Sequence, residues 1–200
     1  MPLQNRVTPE GEICLSPERG TLMGNRGCLH DGDRRIVAKS KRDAWVTCLL
    51  EFKERKRKLM QSGQYTELFF LDEATALAAG HRPCAECRRE RYKSFLAAWP
   101  VVGARAGDVD AILKRERVNE FRLSVSLLGN VSDGVIVKET DSGSFYLLNQ
   151  GSALQWTFGG YSKARSIEGL GGCFIILTPA STVEAFRNGY RPDLHPSALS

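Results

Sequence analysis

Hydrophobic positions are spaced unevenly along the 200 residues, and the spacing changes character several times. Residues 1–35 show no helical periodicity; Gly, Pro, Arg and Asn interrupt short extended pieces at 4–8 and 12–15. From 44 to 52 the pattern alternates, with Val46, Cys48, Leu50 and Phe52 on one side and Trp45, Thr47 and Leu49 on the other, which predicts a strand buried on both faces. Phe69-Phe70-Leu71 ends a second strand, expected to pair with the first through one hairpin. Asp72 then suits an N-cap, residues 73–79 a short Ala-rich helix and Gly80 its C′ position. Tyr92, Phe95, Leu96 and Trp99 recur at i, i+3, i+4 and i+7, the stripe of an amphipathic helix.

Residues 100–107 read as a connection, followed by a helix from Asp108, its expected N-cap, to about Arg117. Beyond it, β-branched and aromatic runs at 134–138, 144–148 and 173–177 predict strands separated by Asp-Ser-Gly and Gly-Gly turns. Trp156-Thr157-Phe158-Gly159-Gly160-Tyr161 reads as an aromatic loop able to stack a base or to close the end of a small barrel, the plug being the better match. Ser181 and Glu184 have capping-box spacing for a last helix that stops at Gly189, and residues 191–200 form an extended tail.

The chemistry concentrates between the Ala-rich and amphipathic helices, in Gly80-His81-Arg82-Pro83-Cys84-Ala85-Glu86-Cys87-Arg88-Arg89. A C-x2-C turn directs two thiolates at one tetrahedral cation while the turn's N–H groups point at the sulfurs, which makes Cys84 and Cys87 half of a zinc site. Cys48, on the neighbouring strand, is the expected third ligand. Cys28 and His30 compete for the fourth position, and His30 is the better match because an imidazole reaches farther from a loop. His81 sits too close in the turn to face the same cation and is expected at the surface. If the fourth position stays open, Glu67, Asp72 and Glu86 are the nearby carboxylates able to act as a base.

With 42% hydrophobic and 26% charged residues the chain has a globular balance, which excludes wholesale disorder. No run of about 18 apolar residues predicts a membrane span, and six cysteines without an apolar leader point to a reducing, cytoplasmic setting. The net charge of +5 is small, but cations cluster. Lys53, Arg55, Lys56, Arg57 and Lys58 surround a single Glu54; Arg82, Arg88 and Arg89 flank the cysteines; Arg26 lies in Gly24-Asn25-Arg26-Gly27. Together these nine suit a phosphate-contacting surface, although the run also fits a solvated hairpin end and the glycine loop a tight turn.

The order strand, short helix, Gly-x-Arg-Pro-Cys-x-x-Cys, helix, carried by Ala76-Leu77-Ala78-Ala79-Gly80-His81-Arg82-Pro83-Cys84-Ala85-Glu86-Cys87, resembles the zinc-binding N-terminal domain of the Ada DNA-repair protein over residues 64–88. The resemblance implies a zinc knuckle and a role directed at nucleic acid, DNA rather than RNA, damaged or modified DNA in particular. That family holds zinc with four cysteines, one of which accepts a methyl group from a DNA phosphotriester, and its upstream pair is a C-x3-C. This chain has no C-x3-C, so the acceptor chemistry does not carry over. The expectation is an α+β protein: a small zinc-knuckle domain with a short antiparallel sheet over 1–100, then a β-rich domain with a terminal helix over 108–200. Two other functions stay open, a zinc- or cysteine-dependent enzyme acting on DNA or nucleotides and a protein-interaction module with structural zinc. A deaminase is excluded, because no His-x-Glu precedes the Pro-Cys-x-x-Cys.

Overall fold

The Ala-rich helix expected after Asp72 forms as α1 (Glu73–Ala78), and all six of its residues are buried in a computed structural model that describes residues 2–53, 58–118 and 121–199. Its ends are closed as the sequence implies. The Asp72 carboxylate accepts from Thr75 N–H at 2.9 Å, and Gly80 takes φ 78°. Gly80 N–H then bonds Leu77 O at 2.9 Å and His81 N–H bonds Ala76 O at 3.0 Å, the paired bonds of a Schellman motif, which only a residue free to adopt positive φ makes easily. Ala74 and Ala78 pack into one apolar cluster, Ala76 and Ala79 into a second, and Leu77 into a third. Small side chains on every face let the surrounding layers approach closely, so α1 is a buried hub.

One of those layers is a sheet built from β1 (Gln4–Val7), β2 (Ile13–Leu15), β3 (Leu22–Asn25), β4 (Val46–Cys48), β5 (Leu68–Phe70) and β6 (Arg82–Pro83), in the order β2-β1-β5-β3-β4-β6. Two expectations are corrected here. The strand foreseen over 44–52 is only three residues long, and Leu49 and Leu50 are 40% and 49% exposed, because the chain leaves the sheet immediately after Cys48. Nor do β4 and β5 pair: β3 lies between them, antiparallel to both. Gly24 permits this, since a Cβ there would fall 2.3 Å from the Phe70 ring. The free side of β4 instead pairs in parallel with β6, Val46 opposite Arg82 and Thr47 opposite Pro83.

α2 (Arg89–Ala98) and α3 (Ala106–Glu116) lead to a second six-stranded sheet, followed by α5 (Ala180–Arg187). Its strands are β7 (Phe121–Ser124), β8 (Ile136–Glu139), β9 (Phe145–Asn149), β10 (Ser152–Thr157), β11 (Gly160–Ser166) and β12 (Cys173–Ile176), antiparallel in the order β11-β10-β9-β8-β12-β7, with the short α4 (Val125–Leu128) after β7. The aromatic loop expected at 156–161 is the tip of a hairpin, with Trp156 opposite Tyr161. α3 begins at Ala106, and Asp108 lies in its first turn, accepting from Arg105 N–H at 2.8 Å. Ser181 is inside α5, bonded to the Glu116 carboxylate rather than to Glu184.

The molecule is therefore a mixed α+β protein with two sheets. Leu77, Phe95 and Trp99 share one apolar cluster with Leu113, Tyr146, Phe174 and Phe186, so the stretches on either side of 100–107 meet in a continuous core. The tail is tied in as well, with Asp193 N–H and His195 N–H donating to the buried Glu73 and Asp72 carboxylates. Among the described residues no helix is long and apolar enough to cross a membrane.

Candidate metal centre

Parallel pairing of β4 with β6 decides where the cysteines meet. Cys48 ends β4; Cys84 follows β6, its N–H bonded to Thr47 O at 2.9 Å. Cys87 returns on the turn before α2. The three sulfurs all lie within 4.8 Å of one another. Thiolates on a tetrahedral zinc, with Zn–S bonds of ~2.3 Å, stand roughly 3.8 Å apart, so small side-chain rotations close this group on an ion. The donor set fits a soft or borderline cation such as zinc.

Backbone donors are already placed. Glu86 N–H points at Cys84 Sγ at 3.4 Å, as the knuckle geometry requires. Hydrogen bonds from Cys48 and Cys87 hold the Cys84 sulfur far below the ordinary thiol range, whereas Cys48, hydrogen-bonded to both neighbours and partly buried, is pushed far above it. A divalent ion takes up thiolates in exchange for protons.

Among the described residues no fourth His, Cys, Asp or Glu joins the three. The structure holds His30 elsewhere: its ring nitrogens contact Thr66 Oγ1 at 2.6 Å and Gln61 O at 3.3 Å. Cys28 Sγ faces His30 O at 3.7 Å. His81 is not at the surface but fully buried. The open side of the sulfurs faces a cavity of about 320 Å³ lined by Leu50, Phe52, Tyr65, Phe69, Glu67 and Glu86 among others. Glu67 is buried, with Oε2 accepting from Met60 N–H at 2.8 Å, and Glu86 pairs with Lys53 at 3.7 Å. Asp72 is committed to capping α1 and to Tyr161 Oη at 2.9 Å, away from the sulfurs.

The nine expected phosphate contacts separate into groups. Arg26, Arg82 and Arg88 are interior. Arg82 makes a two-pronged pair with Asp110, both contacts at 2.8 Å, and Arg88 pairs with Glu73 at 2.9 Å and Asp193 at 3.1 Å. Lys53, Lys58 and Arg89 are exposed, and Arg55, Lys56 and Arg57 lie outside the described residues. A guanidinium close to the chain in sequence is easily taken for a surface group; carboxylates from distant segments draw these inward. A comparison of the chain with models of known protein families, with curated proteins and with solved structures finds no match.

Proposed function

We propose that the chain is a zinc protein in which Cys48, Cys84 and Cys87 hold one Zn2+ whose fourth position faces the cavity and takes an exchangeable ligand. The observation that carries this reading is the trio of sulfurs within 4.8 Å on the wall of a cavity, with no fourth described donor beside it. A bound zinc supplies Lewis acidity there. Glu67 is the buried carboxylate on the cavity wall; the aromatic and aliphatic wall admits a partly apolar substrate and limits water. This favours reaction chemistry over a purely structural staple.

The test is elemental analysis combined with cobalt substitution. Wild type is expected to carry one equivalent of zinc, lost in Cys48→Ser, and the cobalt form is expected to change its visible spectrum when imidazole is added. Zinc retained in Cys48→Ser, or a cobalt spectrum indifferent to imidazole together with zinc loss in His30→Ala, rejects the open site. A nucleic-acid partner is the second reading, supported by the exposed Lys53, Lys58 and Arg89 and by the Ada-like knuckle, which points it at damaged or modified DNA. Replacing Lys58 and Arg89 by Ala should then flatten the salt dependence of DNA affinity by about one unit of slope for each phosphate contact removed. An unchanged slope removes these residues from any such surface.

A further inference from the structure

A second cavity, of about 700 Å³, lies at the other end of the β4–β6 pair and is distinct from the metal centre. Its floor is unusual. The Trp45 ring carries the Arg26 guanidinium 3.9 Å from its centroid and the Arg117 guanidinium 4.0 Å away, so two cations lie against one indole. Arg26 is 1% exposed and has no carboxylate partner among the described residues. Its Nε donates to His81 Nε2 at 3.2 Å and its Nη1 to Gly11 O at 2.8 Å, while Nη2 is buried without a hydrogen-bond partner. Arg117 repeats the arrangement: Nε donates to Gly80 O and Nη1 to Asp43 O, both at 3.1 Å, and Nη2 is again buried and unpartnered.

Carboxylates are present around the cavity but are engaged. Glu12 pairs with Lys39 and Asp43 with Lys114, each at 2.9 Å; Glu10 pairs with Lys138 at 2.6 Å, and Glu116 accepts from Ser181. Three guanidinium groups, those of Arg26, Arg117 and the exposed Arg42, are left without an ion pair among the described residues lining this space. Burial, and then Arg117, push the Arg26 guanidinium down to about 9 against an opposing attraction from Glu12. A buried charge without a partner is unfavourable unless something external completes it. Ile175, Ile176 and Leu177 supply apolar lining to the same cavity.

We infer that this cleft is a binding site for a molecule carrying an oxyanion, a carboxylate or phosphate, on an apolar body, with Arg26 and Arg117 as its receptors and Trp45 as the plate that holds them. Several elements build it. Gly24 and Asn25 close β3, and with Asn25 Oδ1 accepting from Gly27 N–H at 2.8 Å the chain leaves the sheet at Arg26, so the end of this strand delivers the guanidinium. Gly80 leaves the room that Arg117 uses: a Cβ there would lie 2.7 Å from Arg117 Cγ. His81 must keep its proton on Nδ1, because Nε2 accepts from Arg26, and so it fixes the guanidinium orientation.

The experiment titrates the zinc-loaded full chain with inorganic phosphate, acetate and phenylacetate at constant ionic strength. Tryptophan fluorescence and the thermal midpoint are followed, with Trp45→Phe to assign the optical signal and Lys93→Ala as a surface control. A saturable response to phosphate alone supports the site and assigns it to phosphates; a response to phenylacetate above acetate supports it and assigns it to apolar carboxylates. Arg117→Gln should weaken the response by about tenfold or more, the loss expected for one charged hydrogen bond. Should Arg26→Gln fail to fold, Arg117→Gln and Arg42→Gln carry the test. Absence of saturation with all three anions, or wild-type affinity in Arg117→Gln, overturns the inference.

Discussion

The two ends of the β4–β6 pair differ in how they are made. Trp45 and Cys48 are three residues apart, as are His81 and Cys84, so roughly 10 Å of strand separates the cleft from the sulfurs. At the cysteine end two of the three sulfurs come from one turn, and the third arrives by a single strand pairing. At the cleft end Arg26 comes from just past β3 and Arg117 from the end of α3, their acceptors His81 and Gly80 from the turn after α1, and none is adjacent in sequence to its partner. Local spacing can specify a ligand pair. A pair of guanidinium groups without a direct ion pair exists only when the fold has turned the nearby carboxylates to other partners.

The comparison breaks most sharply at the metal end. Cys84→Ser and Cys87→Ser should each abolish zinc retention, and because an ion bound only by the folded chain adds to its stability, both should fall below wild type in a urea unfolding curve. Either variant with full zinc content and unchanged midpoint would show that the turn is not the nucleus of the site. Next in size is Asp110→Ala. It leaves the buried Arg82 without its two 2.8 Å contacts, right beside Cys84, and should lower stability by about 3–5 kcal/mol. A loss within measurement error would mean that water reaches Arg82.

A third change sharpens the contrast because it touches the cleft alone. Gly80→Ala puts a β-carbon at φ 78° and against Arg117 Cγ, and should reduce stability by about 1–3 kcal/mol while weakening anion binding but not zinc. Zinc loss in this variant would show that the two ends are not separable. The smallest effect is a pH dependence. Burial, then Arg26 and Arg117, hold His81 well below its ordinary value of 6.5, so it stays neutral in the fold while an unfolded chain protonates it. The unfolded state then binds more protons below about pH 6.5, and stability should fall by up to ~1.4 kcal/mol per pH unit there and level off above. The slope should shrink in His81→Gln; an equal slope would place the titrating group elsewhere.

Much of the local architecture is legible in the residues. Asp72 as a cap and Gly80 at the C′ position appear as expected, because both depend on short-range backbone geometry. The amphipathic stripe before Trp99 buries Phe95 for the same reason. The strand over 44–52 does not extend as its alternation suggests, and β10 with β11 is absent from the sequence reading because the tip at Trp156–Tyr161 looks like a loop when its partner strands are weakly patterned. Long-range pairing also goes astray. Nothing near Cys48 indicates that β3 separates it from β5, since strand order depends on which edges remain free once α1 is covered.

By itself the sequence determined an α+β chain, the short Ala-rich helix with both its ends, and Cys84 and Cys87 as a candidate metal turn with Cys48 as the next candidate. Tertiary structure alone decided that Cys48 completes a trio while His30 turns to Thr66, that Arg82 and Arg88 are interior ion pairs, and that Arg26 and Arg117 share Trp45. The physical reason is range. Caps, turns and a C-x2-C knuckle are fixed by bonds among residues a few positions apart, whereas the fate of a buried charge depends on which distant groups the packed core brings within about 3 Å.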